Sequence, residues 1–147
     1  MLSWLTLQTS SGILFDVDMR LRPNGQNGLI VSNMDMFRRY QRNQDGHGAW
    51  AWEHQALTRA RFCAGDPQVG EEFEKERRYI LTLPRDAAQT AADVIDMRRK
   101  MLEGHPNPTD QFDVKHDRGG MVDLEFIVQY LVLVKSREYP ELVNNFG

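Results

Sequence analysis

Acidic and basic side chains alternate along an extended segment near the start of the chain. Residues 13–21 alternate apolar and polar side chains, which predicts a strand with one buried face and one charged face. Asp16, Asp18 and Arg20 share the charged face, and Arg22 follows directly. Carboxylates so placed can bind Mg²⁺, and guanidinium groups can hold phosphate oxygens. The pattern suits phosphoryl or nucleotidyl transfer, but charge pairs on a solvent-exposed strand fit the same spacing.

A second charged segment surrounds two adjacent glycines. Gly119 and Gly120 precede a strongly apolar stretch, residues 121–135, which we predict to be a helix. The N-terminus of a helix offers free amides and the positive end of the helix dipole, both suited to an anion. Lys115, Gly119 and Gly120 are therefore candidate contacts for a nucleotide or a phosphate.

Two acidic side chains open this apolar helix. Asp123 and Glu125 lie in or near its first turn. Acidic residues there stabilise the helix through its dipole, so a purely structural role fits them as well as a functional one. Both remain second-tier candidates for the site.

A third segment combines two tryptophans with charged side chains, and we predict a helix over residues 49–64. Tryptophans at this density are typical of core anchors. The other interpretation is that polar side chains of this helix line a cleft. Glu53, Arg59 and Arg61 are its second-tier candidates, beside Gln55.

The remaining pattern predicts a mostly helical chain with a short strand pair. Residues 29–31 are predicted to form a second strand that pairs with the first, and residues 111–116 are a further candidate strand. Residues 1–8 look like the end of a helix, and the charged run 71–78 is interpreted as a solvated outer face. Further helices are predicted over 34–42, 66–83 and 86–103, with Ala91, Val94, Ile95, Met101 and Leu102 on the inner side of the last. The expected fold class is α+β, with a partial sheet followed by a helical bundle.

Composition excludes several classes of protein. The 147 residues carry a net charge of −3, so no overall positive field attracts nucleic acid. The longest apolar run is far shorter than a membrane-spanning helix needs. The four histidines show no metal-ligand spacing, so zinc is not expected. A single cysteine, Cys63, suits a cytoplasmic protein, in which it is expected to be a small apolar filler.

The three charged segments, taken in order, resemble the glutamine synthetase adenylyltransferase family. They read VDMRLRPNGQNG over residues 17–28, WEHQALTRAR over 52–61 and KHDRGGMVDLEF over 115–126. The last two are most similar to the adenylylating C-terminal unit of that family. The resemblance covers essentially the whole chain.

This resemblance implies a reaction and its partners. The family moves AMP from ATP to a tyrosine hydroxyl of glutamine synthetase, with Mg²⁺ as cofactor and the PII signalling protein and glutamine as regulators. Asp18 matches a metal-binding carboxylate of the nucleotidyltransferase fold, and Arg20 and Arg22 would contact phosphate or position Asp18. Asp16 is not at a position that the family motif requires.

One departure from the family pattern bears on activity. The family supplies two further carboxylates from an S-D-x-D strand, which does not precede residue 13 here. We therefore expect residues 1–33 to be the C-terminal part of a nucleotidyltransferase core and residues 34–147 a helical domain, in a fragment that cannot transfer AMP alone. The alternative is a non-catalytic helical module that binds glutamine synthetase or a regulatory protein.

Overall fold

Helices dominate the described part of the chain. The computed structural model describes residues 7–10, 12–13, 18, 22–23, 25, 28–44 and 46–144. Within these residues the α-helices are α1 (Met34–Gln41), α2 (Ala51–Leu57), α3 (Pro67–Leu81), α4 (Ala87–Gly104) and α5 (Met121–Lys135), and a 3₁₀ helix spans Pro140–Val143. The prediction of a mostly helical fold is confirmed. The boundary between a 1–33 and a 34–147 domain stays a prediction.

The predicted strand pair is not seen. Leu29, Ile30 and Val31 are exposed and form no strand, and Ile30 and Val31 lie in a bend. An isolated antiparallel bridge joins Thr9 and Gly12, but no strand occurs among the residues that the structure describes. Most of the first predicted strand, 13–21, and most of the predicted helix at 1–8 lie outside the described residues. A short extended segment without neighbouring strands lacks the pairing that would hold it.

The predicted strand at 111–116 is wrong, because a side chain turns the backbone there. The Asp113 carboxylate accepts hydrogen bonds from the amides of Lys115 and His116 at 2.8 and 3.1 Å. An aspartate that bonds the backbone two residues ahead makes a turn instead of a ladder. Phe112 and Val114, the apolar positions of this candidate strand, are exposed.

Side-chain caps define where three helices begin. Asn33 accepts from the Met36 amide at 2.8 Å, Asp66 from Gln68 at 2.9 Å and Asp86 from Gln89 at 2.7 Å. Each cap satisfies an amide that the first turn leaves without a helical partner. The predicted starts at Asp66 and Asp86 are confirmed.

Helix α2 is shorter than predicted and ends at Leu57. The Thr58 hydroxyl donates to the Gln55 carbonyl at 2.7 Å, and Arg77 donates to the Leu57 carbonyl at 3.4 Å. A continuing helix would use those two carbonyls for the amides of residues 59 and 61. The chain instead turns toward α3, and Cys63 in this turn is exposed rather than an apolar filler.

The hydrophobic core lies where α2, α3, α5 and the 3₁₀ helix meet. The short helix α2 contacts α3, α4 and α5. The buried core side chains are Leu57, Ile80, Leu81, Leu133 and Val143. Because α2 sits among three longer helices, its polar side chains are placed inside the protein.

Two residues of the charged run in α3 are buried, which contradicts the predicted solvated face. Glu76 is 3% exposed and pairs with Arg42 at 2.6 Å and with Arg38 at 3.3 Å. Arg77 is 1% exposed and donates to the Val143 carbonyl at 2.5 Å. Buried charges persist only where partners of this kind compensate their lost hydration.

The apolar helix α5 is largely open to solvent on one side. Leu124, Ile127 and Val128 are 64%, 55% and 58% exposed. Ile95 on the neighbouring helix α4 is 68% exposed, so its predicted inner position is wrong, whereas Val94 is buried as predicted. Among the helices that the structure describes, none combines the length and apolar character required to cross a membrane.

Candidate functional site

An open cleft of about 710 Å³ brings two of the three sequence segments together. Its lining comprises Gly25, Tyr40, Gly46, His47, Gly48, Trp50, Trp52 and Glu53. Gly25 belongs to the 17–28 segment, and Trp52 and Glu53 belong to the 52–61 segment. Trp50 is 70% exposed, so it is not the core anchor that the density of tryptophans in this segment suggested. Glu53 lines this cleft, which is the second of the two interpretations of its helix.

Glu53 supplies a carboxylate to the wall of this cleft. Glu53 is 6% exposed, and one oxygen of its carboxylate accepts a hydrogen bond from the Tyr40 hydroxyl at 2.7 Å. Burial raises the pKa of the Glu53 carboxyl above its ordinary value, while the Tyr40 hydrogen bond opposes that rise. The helix position of Glu53 is thereby fixed against α1.

His54 is held as a neutral imidazole between α1 and the loop after α3. Its Nε2 lies 3.0 Å from the Gln41 carbonyl oxygen, and its Nδ1 lies 3.2 Å from the Arg85 guanidinium. Since a carbonyl only accepts and a guanidinium only donates, Nε2 carries the proton. Burial, followed by the charge of Arg85, lowers the pKa of His54 to about 4. No spacing in the sequence indicated this pair, because Arg85 lies in a loop.

Two polar contacts join the 52–61 segment to helix α5, and one of them lies within the 115–126 segment. Gln55 donates to Gln129 at 2.6 Å in the interior, and Arg59 pairs with Glu125 at 3.0 Å on the surface. Gln55 therefore joins α2 to α5 and does not line the cleft. Arg61 is exposed.

The glycine loop before α5 uses its own backbone to cap the helix. The amides of Met121 and Val122 donate to the carbonyls of Val114 and Lys115 at 2.8 and 3.1 Å. A Cβ on Gly120 would lie 2.6 Å from the Val114 oxygen, so this close approach requires glycine. The expectation of free amides at this helix start is wrong. Whether Lys115, Gly119 and Gly120 contact phosphate stays a prediction, with the Lys115 side chain exposed.

Asp123 secures the same loop. It accepts from the Gly119 amide at 2.6 Å and pairs with the Arg98 guanidinium, which also donates to the His116 carbonyl at 2.7 Å. The Gly119 hydrogen bond and then the Arg98 contact lower the pKa of the Asp123 carboxyl. The geometry favours the structural interpretation of Asp123. Sequence reasoning missed Arg98, which the pattern did not distinguish from the other charges of α4.

The first charged segment is described in part. Asp18 is exposed, and Asp16 and Arg20 lie outside the described residues. Arg22 donates from Nε to the Gly28 carbonyl at 3.1 Å, and its own carbonyl accepts from the Gly25 amide at 2.8 Å. Arg22 thus braces the turn that forms one side of the cleft.

The described residues do not by themselves fit a Mg²⁺ ion. Across residues 7–144 with their gaps, no group of three His, Cys, Asp or Glu side chains is arranged to hold a metal. Asp18 therefore belongs to no described group of three such ligands, whereas Mg²⁺ demands near-octahedral oxygen ligation. Any Mg²⁺ that Asp18 helps to hold requires ligands beyond these residues.

Comparison with known proteins identifies the family. The model of the GlnE family, glutamate-ammonia ligase adenylyltransferase, matches residues 1–76. The chain belongs to this family. Relatives named bifunctional glutamine synthetase adenylyltransferase/adenylyl-removing enzyme extend the similarity to the rest of the chain. That of Burkholderia mallei is 55% identical over 149 residues, and that of Ralstonia nicotianae is 56% identical over 147 residues; each match covers 100% of this chain.

The similarity is confined to a small part of each relative. The relative from Nitrosomonas europaea is 56% identical over 144 residues, which are 98% of this chain but 15% of that protein. The Burkholderia match covers 16% of its protein. The chain therefore spans about one sixth of the length of the curated relatives that it matches.

Proposed function

We propose that the chain is part of a nucleotidyltransferase that transfers AMP from ATP to a tyrosine of glutamine synthetase and so regulates nitrogen assimilation. The observation that carries the proposal is the 55% identity over the whole chain to a glutamine synthetase adenylyltransferase/adenylyl-removing enzyme. That identity covers all three segments on which the sequence resemblance rests.

Asp18 is the proposed metal-binding carboxylate of this site. Its exposure leaves it accessible to a nucleotide and to residues from the remainder of a longer enzyme. Arg22, whose backbone shapes the turn at Gly25, positions the segment, and Arg20 is the proposed phosphate contact. Mg²⁺ is the proposed cofactor, since carboxylate and triphosphate oxygens suit a hard cation.

We propose that the isolated chain is inactive. The described residues offer one exposed carboxylate in the first segment and no grouping of three metal ligands. Nucleotidyl transfer depends on positioning and on neutralising the charge of phosphate oxygens, which one carboxylate does not achieve. The PII signalling protein is the proposed regulatory partner, and the cytoplasm is the proposed location.

A chimera tests the catalytic role of Asp18. The matching segment of the Burkholderia mallei relative is replaced by this chain, and AMP incorporation into glutamine synthetase is measured with and without Asp18→Asn. We expect the substitution to lower the rate by roughly 100-fold or more while the melting temperature stays unchanged. Asp35→Asn, which changes an exposed aspartate of α1, is the matched control. Retention of the rate by Asp18→Asn would refute the role.

The exposed apolar face of α5 favours a second candidate function, a non-catalytic module that binds glutamine synthetase or a regulator. Contiguous exposed apolar surface is typical of interaction sites. Light scattering of the isolated chain mixed with glutamine synthetase, or with PII protein, tests this alternative. A stable complex that Leu124→Ser weakens would favour it, and the absence of a complex with either protein would remove it.

A further inference from the structure

We propose that the cleft between the turn at Gly25 and helix α2 binds the adenine base of the nucleotide, stacked on the tryptophans with its amino group donating to Glu53. The choice of adenine among planar, amino-bearing rings rests on the proposed function. The cleft itself rests on the geometry of the described residues.

Two indole side chains form the apolar part of the cleft. Trp50 is 70% exposed and Trp52 is half-buried, and both line the open volume. An exposed tryptophan lacks the large favourable free energy that burying its ring would contribute. Aromatic rings placed in this way are the usual stacking partners of nucleic-acid bases. A planar base would cover the exposed indole of Trp50 and so account for its position.

A hydrogen-bond acceptor stands in the same wall. Glu53 lines the cleft, and its Oε1 accepts from the Tyr40 hydroxyl at 2.7 Å. A carboxylate has about four acceptor positions, so the Tyr40 contact orients the group without exhausting it. The exocyclic amino group of adenine is the matching donor. A buried carboxylate discriminates strongly against a ring that lacks this donor, because its acceptor positions would then lose water without compensation.

The cleft leaves room for the ring at three glycines. Gly25, Gly46 and Gly48 line it without side chains, and the volume of about 710 Å³ falls within the usual range of small-molecule sites. Gly25 also belongs to the segment that carries Asp18 and Arg22. The segment proposed to bind the phosphates therefore forms part of the wall of this cleft.

Titration with nucleosides tests the base site separately from the chemistry. Adenosine carries the base without phosphates, and purine riboside is the same molecule without the amino group. We expect adenosine to quench the tryptophan fluorescence of the chain saturably and purine riboside to bind roughly tenfold more weakly. Trp50→Ala should weaken adenosine binding by roughly tenfold. Phe112→Ala, which removes an exposed aromatic ring away from the cleft, is the matched control and should leave binding unchanged.

A second readout covers the case in which a variant disturbs the fold. Because Trp50 is exposed, Trp50→Ala in the chimera should raise the KM for ATP about tenfold and leave kcat nearly unchanged. Glu53→Gln should reduce the preference for adenosine over purine riboside. Equal binding of the two nucleosides, or a KM for ATP that Trp50→Ala does not change, would overturn the proposal.

The outcomes separate this site from the proposed function. Saturable adenosine binding with an inactive chimera would leave the base site standing and count against AMP transfer by this chain. An active chimera whose KM for ATP is unchanged by Trp50→Ala would support AMP transfer and count against the base site. Adenosine that does not bind the chain, together with an unchanged KM, would mean that another part of a longer protein covers the tryptophans.

Discussion

Helix α3 buries charged side chains, whereas helix α5 exposes apolar ones. Glu76 and Arg77 are 3% and 1% exposed, although their segment is among the most charged in the chain. Leu124 and Ile127 of the strongly apolar helix α5 are 64% and 55% exposed. Composition alone would have assigned each helix the opposite environment.

The difference shows that burial in this protein follows from available partners. Arg38 and Arg42 reach Glu76 from α1, and the carbonyls of Leu57 and Val143 accept from Arg77. These contacts supply what a buried charge requires. The outer face of α5 has no described helix packed over it, so its apolar side chains stay in solvent.

The largest expected effect comes from removing a buried charge. Arg77→Met keeps the bulk of the side chain but removes the guanidinium donor to the Val143 carbonyl and one of the two donors to the Leu57 carbonyl. We expect the free energy of unfolding to fall by about 3–5 kcal/mol, measured by urea denaturation. Arg78→Met, next along the helix but exposed, should cost less than about 1 kcal/mol. Equal losses in the two variants would contradict the proposed difference between buried and exposed charges.

A smaller effect is expected from truncating leucines on opposite faces of α5. Leu133 is 3% exposed, so Leu133→Ala should cost about 3 kcal/mol through lost burial and the cavity left behind. Leu124→Ala makes the same chemical change at a position that is 64% exposed and should cost less than about 1 kcal/mol. Thermal unfolding of both variants measures the contrast. A Leu124→Ala variant as unstable as Leu133→Ala would show that the outer face is buried after all.

The neutral His54 predicts a pH dependence of stability. Its pKa of about 4 in the folded chain lies below the ordinary value of 6.5, so between these values the unfolded chain binds more protons. Stability should therefore be constant above about pH 6.5 and fall by roughly 2–3 kcal/mol toward pH 4. The raised pKa of Glu53 opposes this loss in part. His54→Gln should flatten the profile of denaturation midpoint against pH. An unchanged slope would show that His54 does not cause the pH dependence.

Local signals predicted the helices well. Asp66 followed by Pro67 indicated the start of α3, because capping depends on neighbours in sequence. The end of α2 was missed because Arg77, twenty residues away, takes the Leu57 carbonyl. The turn at Asp113 was missed because the alternation of apolar residues predicted a strand, whereas the Asp113 carboxylate accepts a hydrogen bond from the nearby backbone.

Some residues of the candidate site were predicted from the sequence and others were not. Glu53 was identified as a cleft residue, but Trp50 was expected in the core, since a sequence does not show which apolar surface lacks a neighbour. The glycines at 119 and 120 were recognised as special, and the structure assigns Gly120 to a close backbone approach at Val114 and Gly119 to a positive φ of 85°. Arg85 and Arg98 gave no signal because their partners, His54 and Asp123, lie far from them along the chain.

We propose that this chain carries part of an AMP-transfer site that other residues must complete. Labelled ATP, Mg²⁺ and glutamine synthetase are incubated with the isolated chain and, in parallel, with the Burkholderia mallei chimera, and AMP bound to glutamine synthetase is counted. We expect label from the chimera and none above background from the isolated chain. Turnover by the isolated chain, or an inactive chimera beside an active parent enzyme, would show that the chain does not carry one part of a divided AMP-transfer site.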